Sequence, residues 1–217
     1  MAQQEDEWFS TWFDSPYYHI LYRNRDLHEA QLFTDRLLVH LHPNSNNRIL
    51  NPARGRRFSN TRLDFCVYDR RPIYKPACFG FALSPFTSIG YLNNKTGNAA
   101  ALAAAAGSLK PGDKPVIDFT DTGKIIGDLG AEEEKKVNGI NFRVTRGVEN
   151  GFIIKAMRFA DGGREYRFEE RGRVLREEDF RAYFSMVQLR LMEVFRDYAF
   201  SPFVREESAR MVFVLKK

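Results

Sequence analysis

The periodicity of this chain changes twice along its length, and the order of those changes limits the folds open to it. Up to about residue 119, stretches with helical spacing alternate with short apolar runs. From Lys135 to Arg173 the period falls to two. Helical and then apolar stretches return toward the end. Alternating elements argue for an α/β sheet, and the period-two block argues for an antiparallel insertion in it.

The elements can be placed residue by residue. Trp8 to Tyr22 is dense in aromatics. Asp26 opens a helix through Leu27, Ala30, Leu32, Phe33, Leu37, Leu38 and Leu41, whose apolar residues recur at helical spacing; Asp26 with Glu29 fits a capping box. Arg48-Ile49-Leu50 begins a buried strand, Leu63–Tyr68 alternates as a strand, and Phe79–Leu83 is a third. The alanine-rich stretch Thr96–Leu109 is a helix stopped by Lys110-Pro111-Gly112-Asp113. Val116–Phe119 is the next strand, and Pro115 should mark its first residue or an edge, because proline donates nothing to a ladder. In the insertion, Ile140, Phe142 and Val144, then Phe152, Ile154 and Ala156, then Tyr166 and Phe168 alternate with polar residues. Asn150-Gly151 and Asp161-Gly162-Gly163 read as hairpin turns, since these residues tolerate positive φ. Glu177–Phe184 reads as helix, and Leu189–Tyr198 and Arg210–Leu215 as two closing strands.

At 217 residues and 43% hydrophobic content the chain can bury one sizeable core. No apolar run approaches the roughly 20 residues of a membrane span. The start, MAQQEDEW, is acidic and unlike a secretory signal, so a cytoplasmic location is expected. Cys66 and Cys78 show no zinc or disulfide spacing and read as core hydrophobes. The net charge is +5, with arginines at 54, 56, 57, 62, 70 and 71. Aromatics do not interleave with them as a stacking platform requires, so a solvated basic surface is the better reading and nucleic acid is not an expected partner. The insertion adds Arg143, Arg146, Lys155, Arg158, Arg164 and Arg167, compatible with an anionic substrate or with an ordinary charged sheet face.

Several strings, in their joint order, resemble one family. WFDSPYYHILYRNRD before an amphipathic helix, FTSIGYL, LKPGDKPVIDF, VENGFIIK, EVFRDYAFSPF and SARMVFVLKK are similar to small bacterial class I S-adenosylmethionine-dependent methyltransferases over nearly the whole chain. The resemblance implies a Rossmann-like doubly wound sheet with an antiparallel β insertion. It implies a single domain: an N-terminal lid and helix at 1–47, a cofactor-binding core at 48–119, the insertion at 120–175 and the rest of the core sheet at 176–217. It also implies S-adenosylmethionine as cofactor and a small-molecule methyl acceptor.

One stretch departs from the family. Its first strand ordinarily runs into a DxxCGxGR loop, then a helix and a second strand ending in an acid that grips the ribose. Here the stretch is Arg48-Ile49-Leu50-Asn51-Pro52-Ala53-Arg54-Gly55, with Asn51 in place of the acid and only Gly55 left of the glycines. Only 12 residues, Asn51 to Arg62, precede the next strand. A βαβ unit needs about 30, so one βα unit after the first strand is missing. Loss from the chain and omission from the sequence both fit.

By resemblance, the cofactor would be held by Tyr22, Asn51, Ala53, Gly55, Asp69, Arg70, Ser84 and Phe86. Asp69 would accept from the adenine amino group and Arg70 would flank the ring. Ser84 stands where a polar amide is usual. Tyr17, Tyr18, Arg25, Thr87 and Tyr91 would face the substrate, with the tyrosine rings near the sulfonium and Arg25 near a carboxylate. Burial of the aromatics against the sheet is the alternative. No catalytic residue and no metal follow from the sequence, since methyl transfer needs mainly alignment and desolvation. A methyltransferase-like binding protein without activity is the second reading.

Overall fold

A computed structural model describes residues 8–23, 27–43, 49–50, 72–84, 89–90, 95–127, 129, 132–205 and 207–217, the side chains of 8–10 and 27–30 excepted. The chain divides into two compact units, Met1–His28 with Thr122–Val174, and Glu29–Asp121 with Leu175–Lys217.

The larger unit is built on a five-stranded sheet. Its strands are β1 (Ile49–Leu50), β2 (Phe79–Ser84), β3 (Leu109–Thr120), β8 (Arg190–Phe195) and β9 (Arg210–Lys216), in the order β1-β2-β3-β9-β8. β1, β2 and β3 are parallel. β9 runs antiparallel between β3 and β8. The helices are α3 (Leu27–Leu41), α4 (Lys95–Ser108) and α6 (Glu177–Met186).

Side-chain alternation sorts the core onto two faces, because successive strand residues point oppositely. Val116, Val212 and Val214 meet Phe33, Leu37 and Leu41 of α3. Ile117, Phe119, Met211, Phe213 and Leu215 meet Leu102 and Ala106 of α4 and Phe180 and Phe184 of α6. Both faces of the inner strands are therefore apolar, as a sheet covered on both sides requires. The α/β sandwich with helices on both faces was expected from the sequence. The strand expected at Leu63–Tyr68, Cys66 and the missing βα unit lie outside the described residues. Cys78 packs half-buried against Leu50, Phe79 and Leu109.

Three expectations need correction. Pro115 is neither a first residue nor on an edge strand: β3 starts at Leu109, and Pro115 pairs with Ala82 of β2. It is tolerated because the ladder to β9 begins one residue later, at Val116↔Val214. The residues Lys110 to Asp113, expected only to stop the helix, form a bulge inside the strand. Gly112 sits there at φ +87°, and its N–H donates to the Lys217 carbonyl at 3.1 Å. The closing strand expected at Leu189–Tyr198 is shorter, Arg190–Phe195.

In the smaller unit, β4 (Glu133–Val137), β5 (Ile140–Glu149), β6 (Phe152–Asp161) and β7 (Arg164–Arg173) form an antiparallel meander. Its turns Asn138-Gly139, Asn150-Gly151 and Gly162-Gly163 all have positive φ at both central residues, the type I′ geometry that matches strand twist. The first strand and first turn were not anticipated. One face carries Phe142, Val144, Met157 and Phe159, packed with Trp12, Leu21 and the rings of Tyr17, Tyr18 and Tyr22. These come from two short helices, α1 (Trp8–Phe13) and α2 (Pro16–Leu21). The break between them is fixed by Ser15, whose buried hydroxyl accepts from the Tyr17 N–H at 3.2 Å, and by Pro16 at the first helical position. The unit also contains α5 (Thr122–Gly127).

Candidate functional site

In an open parallel sheet, ligands collect outside the carboxyl ends of the strands. Here those ends are Leu50, Ser84 and Thr120. Ser84 stands opposite Ile117 and is buried, so a hydroxyl is carried to the last position of an otherwise apolar strand.

Beyond Ser84 the chain is pinned by Gly90. Its N–H donates to Asn98 Oδ1 at 3.1 Å, and Asn98, in the first turn of α4, is 1% exposed. Gly90 has φ +101°, and a Cβ there would lie 3.3 Å from Phe119 Cε2. Backbone of that sign favours glycine, and the buried amide in turn needs Asn98. Phe86, Thr87 and Tyr91 flank this pin in sequence but lie outside the described residues. Gly90→Ala is expected to lower stability by about 1–3 kcal/mol through a strained backbone, measured by urea denaturation; an unchanged midpoint would show that the turn relaxes freely.

A buried charge cluster closes the same edge. Asp118, 1% exposed, points to the α3 face beside Val116. Its Oδ1 accepts from Arg210 Nη1 at 2.5 Å and its Oδ2 from the Tyr198 hydroxyl at 2.8 Å. The Arg210 guanidinium lies 4.6 Å from the Tyr198 ring centroid, and Phe33 lies against the same ring at 4.4 Å. Arg210 pairs with Thr120, the last residue of β3, so the cluster ties the carboxyl end of β3 to the start of β9.

Tyr17 and Tyr18, expected at the substrate, and Tyr22, expected at the cofactor, are gathered in the smaller unit. Tyr17 donates its hydroxyl to Asp161 Oδ2 at 2.9 Å, and its ring touches Phe159 and Tyr166. Hydrogen bonding with Tyr166, then desolvation and the Asp161 charge, hold its phenol well above the ordinary tyrosine range. Tyr18 packs edge-on against Trp12 and Phe13. Tyr22 donates to Glu170 Oε1 at 2.6 Å and accepts from Lys155 Nζ. The same Glu170 oxygen accepts from Trp12 Nε1 at 2.7 Å. His19 is exposed, with its ring edge-on to Tyr18.

Of the site residues expected from sequence, Ser84 therefore stands on the sheet edge of the larger unit. Tyr17, Tyr18 and Tyr22 form one aromatic cluster in the smaller. Arg25, Asn51, Ala53, Gly55, Asp69, Arg70, Phe86, Thr87 and Tyr91 lie outside the described residues. Sequence reasoning missed Asn98, Asp118, Tyr198 and Arg210. A signal for Asp118 was available: a carboxylate inside the apolar run of β3 must find a partner. Among the described residues, no group of three or more His, Cys, Asp and Glu is placed to hold a metal, and no helix is long and apolar enough to cross a membrane.

No protein-family model and no curated protein matches this chain. Solved structures do. An S-adenosylmethionine-dependent methyltransferase from Clostridium acetobutylicum is similar at TM-score 0.74 and 16% identity, over 92% of this chain and 96% of that one. The sugar N-methyltransferase KedS8 from a Streptoalloteichus species is similar at TM-score 0.70 and 16% identity, over 92% and 93%. CalS10, an amino pentose methyltransferase of Micromonospora echinaspora solved with S-adenosylmethionine bound, is similar at TM-score 0.64 and 15% identity, over 93% and 97%. At these identities the likeness shows the fold, a Rossmann-like methyltransferase sheet with an antiparallel β insertion.

Proposed function

We propose that this chain transfers a methyl group from S-adenosylmethionine to a small-molecule acceptor. The observation that carries the proposal is the strand arrangement: three parallel strands ending in Leu50, Ser84 and Thr120, followed by a reversed β9 inserted before β8. This is the sheet of solved methyltransferases, matched over more than nine-tenths of the chain.

The described part of the edge fits such a cofactor. Ser84 offers a buried hydroxyl at a strand end, and the Asn98–Gly90 bond holds the following turn in one shape. Rigid placement of this kind is what an in-line displacement requires, since alignment supplies most of its acceleration. The cofactor brings an electrophilic methyl on a sulfonium; the protein must orient it and exclude water. Tyr22, Asn51, Ala53, Gly55, Asp69, Arg70, Ser84 and Phe86 are proposed to hold it, and Tyr17, Tyr18, Arg25, Thr87 and Tyr91 to meet the acceptor. The names of the solved relatives, which include a sugar and an amino pentose methyltransferase, support a small polar acceptor.

A second reading has its own observation. Asn51 replaces the expected acid, and Pro52 removes a backbone donor where the cofactor loop needs them. A methyltransferase-like binding protein without activity would tolerate both. Isothermal calorimetry with S-adenosylmethionine separates the two: micromolar affinity is expected for the enzyme, and no heat at millimolar cofactor would leave the second reading standing.

A further inference from the structure

The outward face of the smaller unit's sheet carries an arrangement that folding alone does not favour. Arg143 of β5 stands directly opposite Arg158 of β6, and Arg158 directly opposite Arg167 of β7. Three guanidinium side chains thus form one row across three neighbouring strands, with β-carbons about 4.5–5.5 Å apart at each step. Like charges in direct register destabilise a sheet. The row itself meets an opposite charge at its β4 end, Glu134↔Arg143, and other rows of the meander set opposite charges together at Lys155↔Glu170 and Asp161↔Arg164. Arg146↔Lys155 is the other like pair, and there each cation holds a carboxylate, Glu133 for Arg146 at 2.9 Å and Glu170 for Lys155 at 3.7 Å.

The row is unequal along its length. Arg143 is paired with Glu132 and, at 3.6 Å, with Glu134. Arg167 is paired with Glu169 at 2.5 Å. Arg158, between them, forms no ion pair among the described residues. Its neighbours along β6 on the same face are Ala156 and Ala160, so short side chains leave room beside its head group. A cavity of about 780 Å³ opens here, lined by Asn141, Arg143, Arg158, Ala160, Glu165 and Arg167 among others. That volume lies within the usual range for small-molecule sites, about 300–1,000 Å³.

We propose that this row is a binding site for a phosphate-bearing small molecule, with Arg158 as its central ligand. Planar guanidinium forks match phosphate oxygens two at a time. A ligand seated on Arg158 is reached from both sides by Arg143 and Arg167, and Asn141 supplies a neutral donor at the rim. A dianion here offsets the repulsion among the three guanidinium groups. The glutamates of the outer arginines reduce the positive field at its ends, which concentrates it at the centre and favours one compact anion over a long polyanion. The site lies on the smaller unit and does not rest on the methyltransferase reading.

The test is calorimetric titration of the full chain with inorganic pyrophosphate, at low and at physiological salt. Saturable binding that weakens as salt rises is expected. Arg158→Ala should weaken it at least tenfold, Arg158→Lys should weaken it less, and Arg190→Ala, on an exposed strand position of the larger unit, should leave it unchanged. Thermal denaturation reads the same site without ligand. Arg158→Ala should keep or raise Tm, because it removes two like-charge contacts. Absence of saturable binding, or equal affinity in Arg158→Ala and the parent chain, would overturn the proposal. So would a lower Tm for Arg158→Ala, which would make the arginine a structural element of the sheet.

Discussion

Replacing Asp118 by Ala is expected to lower the unfolding free energy of the larger unit by about 3 kcal/mol or more, measured by urea denaturation. The carboxylate is 1% exposed and holds both Arg210 and the Tyr198 hydroxyl. Its removal leaves the arginine, whose side chain is only 23% exposed, without its buried counter-charge. Breaking one partner of such a pair costs more than the pair contributes when intact, because the remaining charge keeps its desolvation penalty. Two further variants separate these terms. Asp118→Asn keeps the shape and an acceptor for Tyr198, and should cost about 1.5–3 kcal/mol, the range for hydrogen bonds to a charged group. The double variant Asp118→Leu with Arg210→Met removes both charges at similar volume and should recover most of the loss. A single-variant loss below about 1 kcal/mol would show that water already screens Arg210, as in exposed pairs. The pair also joins the last residues of β3 to the first of β9, so the carboxyl edge proposed to receive the cofactor should loosen in Asp118→Ala. Faster amide exchange at Phe119 and Met211 is the local readout.

Why was this cluster invisible while the helices around it were not? Phe33, Leu37 and Leu41 repeat every fourth residue, which marks α3 and its buried face from local spacing alone. Phe152 to Arg173 alternates and turns at Asn150-Gly151 and Gly162-Gly163, which marks two hairpins in the same way. Asp118 and Arg210 are 92 residues apart, and nothing local connects them. β4 was missed for another reason. Its sequence, Glu133-Glu134-Lys135-Lys136-Val137, has no apolar alternation, because it is an edge strand whose residues are half-buried at most. Charged edge strands are a known defence against strand-to-strand aggregation, and they erase the period-two signal. The candidate site shows the same division. Ser84 could be placed at a strand end because the strand before it is apolar, whereas Asn98 looks like any residue opening an alanine-rich helix until its bond to the Gly90 amide is seen. The tyrosines at 17, 18 and 22 are legible as aromatics, but only the structure shows two of their hydroxyls engaged with Asp161 and Glu170.

Trp12 tests how that aromatic cluster holds the N-terminal segment. Trp12→Ala should lower the stability of the smaller unit by about 3–5 kcal/mol, the range for truncating a buried large aromatic. The side chain is 0% exposed, with its ring 4.7 Å from Phe168 and 5.6 Å from Tyr18. Its N–H to Glu170 is a smaller part of the effect. Glu170 keeps the Tyr22 hydroxyl at 2.6 Å and Lys155 at 3.7 Å, so no acceptor is orphaned when the indole is gone. Trp12→Phe, which retains most of the packing but loses the donor and part of the ring volume, should cost about 1–2 kcal/mol. The loss should also be local. α1 and α2 are short, at six residues each, and a helix of that length has no stability of its own in water. Among the described residues they pack on each other and on the meander, whereas β5, β6 and β7 are held by their own ladders. Limited trypsin digestion reads this directly, since Arg23 follows α2, is exposed and, among the described residues, donates to Asn138 at 3.2 Å. A 3 kcal/mol loss in a locally opening segment raises cleavage after Arg23 by roughly two orders of magnitude when opening is fast compared with cutting. Cleavage at the parent rate in Trp12→Ala would mean that the segment already opens independently of the indole. The proposed contacts of Tyr17 and Tyr18 with an acceptor, and of Tyr22 with the cofactor, would then lack the rigid support that alignment requires.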